Sequence, residues 1–171
     1  LADLLKEGYQ ALRKSDFPLD SIRQAEMVRP LFLNLLNEED KKYCQNKLIE
    51  NLKNYDYRLG TGFLSTHLIL YVLEEFDLDS AYKLLENEKM PGWLFMPKNG
   101  ANTIWESWEG PKGQGGIASL DHYSKGSCVE WLFKKMLGIK VDGENHFMIK
   151  PTPGGNFKHA SASYQSVFGK V

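Results

Sequence analysis

Residues 61–85 read TGFLSTHLILYVLEEFDLDSAYKLL. Glycines at 60 and 62 interrupt the pattern, and HLILYVLEEF then sets apolar residues on a helical repeat. Asp79 is the expected cap of a second helix, SAYKLLENEK, which Pro91 stops. Two helices joined by so short a link run antiparallel, so the segment reads as a helical hairpin. Upstream, Asn37 is the expected cap of EEDKKYCQNKLIENLKN, whose apolar stripe is Tyr43, Leu48 and Leu52. Before it, SIRQAEMVRPLFLNLL forms a helix capped by Asp20 or Ser21 and bent at Pro30. LADLLKEGYQALRK is helical from its first residue, with Leu1, Leu4, Leu5 and Leu12 on one face and no cap ahead of them. A helix that starts without a cap reads as one entered mid-course.

Downstream, periodicity is lost from Pro91 to Ser119, where Gly, Pro and Trp dominate. HYSKGSCVEWLFKKMLGI is a final helix expected to bury Val129, Leu132, Phe133 and Met136. After Gly138, HFMIKPTP and HASASYQSVFGKV show the short alternation of strands around a Pro/Gly turn at 151–155. The expected division is therefore helical hairpins over residues 1–140 and β structure over 141–171. The tail stops just past a turn at Gly169, where a partner strand is due. Both ends read as unfinished, and the chain as a fragment of something larger.

The bulk numbers exclude several classes. With 42% hydrophobic and 25% charged residues among 171, the chain is in the globular range. A net charge of −1 provides no electrostatic footprint for nucleic acid or an anionic membrane. No apolar run approaches the roughly 18 to 20 residues of a membrane span. Cys44 and Cys128 stand far apart, which fits a reducing compartment better than a disulfide scaffold, and so the cytoplasm better than secretion. His67, His146 and His159 have no second ligand at metal spacing, so neither a metal nor any other cofactor is expected. GPKGQGG (110–116) lacks the ending of a phosphate loop and reads as a flexible loop. The lysines of the third and last helices read as solvated surface.

The aperiodic region contains the chemistry. NTIWESWEG (102–110) sets Glu106 between Trp105 and Trp108. A general base must be held within hydrogen-bond reach of the water it activates, in a pocket that limits bulk solvent. Indoles can wall such a pocket and offer flat surfaces to a sugar ring. They also disfavour a charged carboxylate, so a base here needs neighbours that hold its charge. The plainer alternative is a solvated loop glutamate beside two core tryptophans. His122, at the start of the last helix, could bond a substrate hydroxyl, or could cap the helix or bond a backbone carbonyl.

Taken together, TGFLSTHLILYVLEEFDLDSAYKLL, PGWLFMPKNGANTIWESWEG, DHYSKGSCVEWLF and IKPTPGGNFKHASASY resemble, in the same order, the C-terminal part of bacterial α-L-rhamnosidases of glycoside hydrolase family 78. The resemblance runs from about Ala25 to the end. It implies part of an (α/α)6 barrel of helical hairpins followed by the first strands of a C-terminal β-sandwich. It implies inverting hydrolysis of terminal α-L-rhamnose, with Glu106 as general base, His122 contacting the sugar, and Trp105 and Trp108 as aromatic surroundings. Ser107 stands where the family often has Arg, Asp121 where Asn is common, and Ser65 and His67 replace a usual Gly and Pro.

The family's general acid belongs to an acidic segment that nothing here resembles. Acid and base each supply about 10²- to 10⁴-fold, so the isolated chain is expected to be inactive without the N-terminal part of the barrel. The absent helices should leave an apolar edge and a tendency to self-associate. Two other readings stand beside this one: a non-catalytic helical carbohydrate-binding module, and a related six-hairpin glycosidase acting on another sugar.

Overall fold

The computed structural model describes residues 1–15, 23–143 and 146–170. The expected caps Asp20 and Ser21 lie outside the described residues. Helix α1 spans Ala2–Ser15, α2 Gln24–Phe32, α3 Glu38–Asn54, α4 Phe63–Thr66, α5 Ile69–Glu74, α6 Leu78–Leu85 and α7 Phe95–Lys98. A 3₁₀ helix at Gly110–Gly116 follows, then α8 Tyr123–Gly126, α9 Cys128–Trp131 and a π-helical turn at Leu132–Met136. Strand β1 (Ile139–Val141) pairs antiparallel with β2 (Phe147–Ile149), and β3 (Gln165–Ser166) with β4 (Gly169–Lys170). The protein is thus mainly helical with only short strands, in two compact units, Leu1–Gly126 and Ser127–Val171.

In the first unit, α2 packs on α3 and α5 on α6 as hairpins, and α2 also reaches α5. Met27, Val28, Leu48, Leu52, Ile69, Leu70, Leu73, Tyr82 and Leu84 form the sealed core. A second, smaller cluster joins Leu36 and Cys44 to Tyr9 and Leu31. Gln24, also buried, ties α2 to the chain before α4. Its Nε2 donates to the Arg58 carbonyl at 2.9 Å and its Oε1 accepts from the Gly60 N–H at 2.7 Å. Both ends of a buried amide are thereby satisfied, which is the condition for keeping it there. The face of α1 bearing Leu4, Leu5 and Leu12 lies in solvent.

Several expectations are corrected. Helix α2 ends at Phe32, two residues past Pro30, because proline lacks an N–H and crowds the preceding turn. The chain then turns through Asn34 at a φ of 52°. In α3, which Asn37 caps by accepting from the Asp40 N–H at 2.8 Å, Cys44 takes the buried stripe position and Tyr43 is exposed. Asp77, not Asp79, caps α6: its carboxylate accepts from the Ser80 N–H at 3.1 Å and the Ser80 hydroxyl at 2.7 Å, while Asp79 is exposed in the first turn.

In the second unit, the helix expected to be continuous is broken at Ser127. Past the break Met136 is buried as expected and Leu132 half-buried, but Cys128 and Trp131 are sealed in place of Val129 and Phe133, which are exposed. A break shifts the phase of the apolar stripe, which unbroken counting does not anticipate. The segment 159–163 is not strand; only the short pair at its end is. Strand β1, whose first residue Ile139 is the expected end of the helix, pairs Ile139 with Ile149 and Val141 with Phe147. Among the described residues no helix is long and apolar enough to cross a membrane.

Asp77→Ala is expected to cost about 1 kcal/mol of unfolding free energy, the usual worth of a helix cap. Asp79→Ala should stay within about 0.5 kcal/mol; urea denaturation of both variants measures the difference.

Candidate active site

Two stretches flanking the glycine-rich segment are laced together. The His122 N–H donates to the Ile104 carbonyl at 2.7 Å, and the Glu106 N–H to the Ser119 carbonyl at 2.8 Å. The Thr103 hydroxyl donates to the Leu120 carbonyl. The Ser119 N–H returns to the Glu106 carboxylate, bonding Oε2 at 2.7 Å. Glu106 and His122, sixteen positions apart, are therefore held on adjoining segments of one loop assembly.

What lies between them is not a flexible loop. Residues 110–116 wind into a 3₁₀ helix that folds back on the tryptophan segment. Gly110 has a φ of +72°, and a Cβ there would sit 2.6 Å from the Trp105 ring. A Cβ on Gly113 would lie 1.9 Å from the Ser107 hydroxyl. These glycines are needed because backbone is packed directly on Trp105 and Ser107.

Trp105 is buried, and its backbone N–H meets the Met96 sulfur at 3.3 Å. Trp108 is half-buried. Glu106 is also half-buried; Oε2 is fixed by Ser119, and Oε1 has no hydrogen-bond partner among the described residues, nor is it shut off from solvent. The His122 ring stacks on Tyr123 at 5.6 Å and meets the edge of Phe63 at 6.2 Å. Its Nδ1 is buried without a partner among the described residues, so that nitrogen neither caps the helix nor bonds a carbonyl there.

The sequence reading missed Lys125. This side chain is only 5% exposed, not part of a solvated face. Its ammonium donates to the Glu106 backbone carbonyl and stands 3.8 Å from the centre of the Trp108 ring. Its own carbonyl accepts from the Trp93 indole N–H at 2.9 Å. Burial pulls Lys125 down to about 8 from an ordinary 10.5, opposed by the negative charge of Glu106. The available signal was its spacing: residues 122 and 125 are neighbours on one helical turn. Ser119 was missed as well, because its contribution is a backbone N–H and carries no side-chain signature.

Residues 6–136 match the model of the bacterial α-L-rhamnosidase six-hairpin glycosidase domain. The chain belongs to that family. An α-L-rhamnosidase of Formosa agariphila is 36% identical over 156 residues, covering 86% of this chain and 17% of the relative. One from Streptomyces avermitilis is 32% identical over 98% of this chain and 17% of its own length. The crystal structure of a Streptomyces avermitilis α-L-rhamnosidase complexed with L-rhamnose superimposes with a TM-score of 0.81 at 29% identity, over 98% of this chain and 18% of that one. The chain thus spans about a sixth of the length of the family members it matches.

Gly110→Ala combines a left-handed backbone with a clash against an indole and is expected to cost roughly 2 to 4 kcal/mol, read as a drop in thermal and urea midpoints. Lys125 gives a pH prediction. Between pH 8 and 10.5 the unfolded chain holds a proton that the folded chain releases, so stability attributable to this group rises with pH. The burial cost is complete below pH 8 and fades above it. Urea midpoints at pH 7.5 and 9.5 should show the wild type gaining on Lys125→Met, which has no such proton to lose.

Proposed function

We propose that this chain is part of an inverting α-L-rhamnosidase and carries the general-base half of its active site, with Glu106 as the base. The observation that carries this reading is the split state of that carboxylate: Oε2 is held by the Ser119 N–H, while Oε1 has no hydrogen-bond partner among the described residues and is not sealed from solvent. A base needs this combination of a fixed orientation and a free lone pair. In an inverting reaction a carboxylic acid about 6.5 to 9.5 Å away protonates the leaving oxygen while the base activates water on the opposite face of the sugar. The acid belongs to parts of the barrel outside this chain, and the isolated chain accordingly gives no turnover.

The other roles follow from the same frame. His122, whose ring is held between Tyr123 and Phe63, contacts the sugar. Trp108 forms an aromatic wall, and Trp105, sealed beneath Gly110, supports the loop from behind. Terminal α-L-rhamnose is the proposed substrate because the relatives are α-L-rhamnosidases, one of them solved with L-rhamnose bound. Residues 1–140 form part of the (α/α)6 barrel and 141–171 the start of the β-sandwich. The exposed leucine face of α1 receives neighbouring barrel helices, and in their absence drives self-association.

In the intact enzyme containing this chain, Glu106→Gln should lower kcat on an aryl α-L-rhamnoside by about 10²- to 10⁴-fold, with rhamnose binding by calorimetry preserved. Proton NMR of the first product should show the inverted anomer. Undiminished turnover in Glu106→Gln would move the base elsewhere, and rhamnose binding without any hydrolysis by the intact protein would make this a binding module. Faster cleavage of glucosides than rhamnosides would shift the substrate.

A further inference from the structure

A buried ammonium whose direct partner is a neutral carbonyl is an expensive way to fill space. Apolar side chains of the same length pack as well without the cost of stripping a charge of water. Lys125 nevertheless has its Nζ inside the loop assembly, bonded to the Glu106 carbonyl and set against the Trp108 ring at 3.8 Å. Its backbone is anchored independently, by the Trp93 indole on its own carbonyl and by the neighbouring Ser124 hydroxyl on the Phe63 carbonyl. The head group is thus aimed at Glu106 by the fold and is not there by default. Glu109, the other acid of the segment, turns instead to the Ser107 hydroxyl at 3.1 Å, so Glu106 is the carboxylate that faces this charge.

We infer that Lys125 is a positioning residue for the proposed base, clamping Glu106 by its carbonyl and Trp108 by its ring face so that the carboxylate stays oriented. The inference rests on the reading of Glu106 as the base. Three groups converge on Glu106: Ser119 takes its N–H and binds one carboxylate oxygen, and Lys125 holds its carbonyl. The Ser119 contacts fix the strand and the Oε2 atom. Lys125 bonds the Glu106 carbonyl and so stops the peptide after Glu106 from rotating. A cation against Trp108 also holds that ring in place.

The experiment is a double-mutant cycle in the intact enzyme, with kcat and KM measured on an aryl α-L-rhamnoside. Lys125→Met should lower kcat by about 10- to 100-fold, the effect of a slightly misplaced catalytic group, with KM changed less than about threefold. Lys125→Arg, which keeps the charge and a donor, should recover most of the rate. Lys125→Gln keeps a donor without charge and should fall between them; it replaces the Met variant if that fails to fold. The decisive arm is Lys125→Met in the Glu106→Gln background. If Lys125 acts through Glu106, the double variant is no slower than Glu106→Gln alone. A Lys125→Met or Lys125→Gln enzyme with wild-type kcat, or a loss that multiplies fully onto Glu106→Gln, overturns the inference. Full activity in Glu106→Gln itself overturns instead the assignment of the base.

Discussion

Taking an ammonium out of water costs several kcal/mol unless its surroundings replace the lost hydration. At Lys125 that requirement gathers segments the chain would otherwise leave apart. The Trp93 indole holds its backbone, the Trp108 ring meets its charge, and the Glu106 carbonyl accepts its hydrogen bond. The segment between Pro91 and Ser119 has no apolar repeat to fold it, and its helical pieces, α7 and the 3₁₀ helix, are short. Its shape is set by this cation, by the lacing of 103–106 to 119–122, and by glycines that let backbone lie flat on Trp105 and Ser107. An aperiodic stretch is rigid here because its polar groups have fixed partners.

The helical part was legible where its determinants are local. Asn37 caps α3 as its sequence position implies, since an N-cap needs only a short polar side chain and the N–H groups that follow it. Between Asp77 and Asp79 composition does not decide, because either aspartate can cap. Asp77 has the non-helical backbone, φ −152° and ψ 76°, and so takes the role. The phase of an apolar stripe is less local still. Cys44 displaces Tyr43 because a small thiol suits the sealed cluster with Leu36, while a phenol can keep its hydroxyl wet. In the last helix the interruption at Ser127 moves burial to Cys128 and Trp131, and no count along an unbroken helix finds that.

The candidate site was legible in one half. Two indoles around a carboxylate is an unusual grouping, and the chemistry it implies directed attention to Glu106 before any fold was known. Its supports were not legible. Ser119 acts through its backbone, which every residue possesses, and Lys125 has the commonest surface side chain on a stretch that reads as a solvated helix. Only the tertiary placement, with 5% of the residue exposed, removes Lys125 from that class. The glycines of 110–116 misled in the opposite direction. Glycine permits flexibility but also permits close approach, and the contact with Trp105 shows which is at work here.

This arrangement bears on how a base can work between aromatic walls. Apolar surroundings exclude competing water, but they also favour the neutral carboxylic acid, which cannot accept a proton. A direct salt bridge to the carboxylate would keep the charge and occupy the lone pairs the reaction needs. A cation bonded to the carbonyl of the same residue avoids that conflict: its field favours the ionised side chain while its hydrogen bond is spent on the backbone. With Ser119 on Oε2 and the ammonium on the main chain, Oε1 keeps its lone pairs for water. On the proposed reading, that geometric separation of charge support from hydrogen-bond support is what leaves Glu106 a lone pair with which to act as a base.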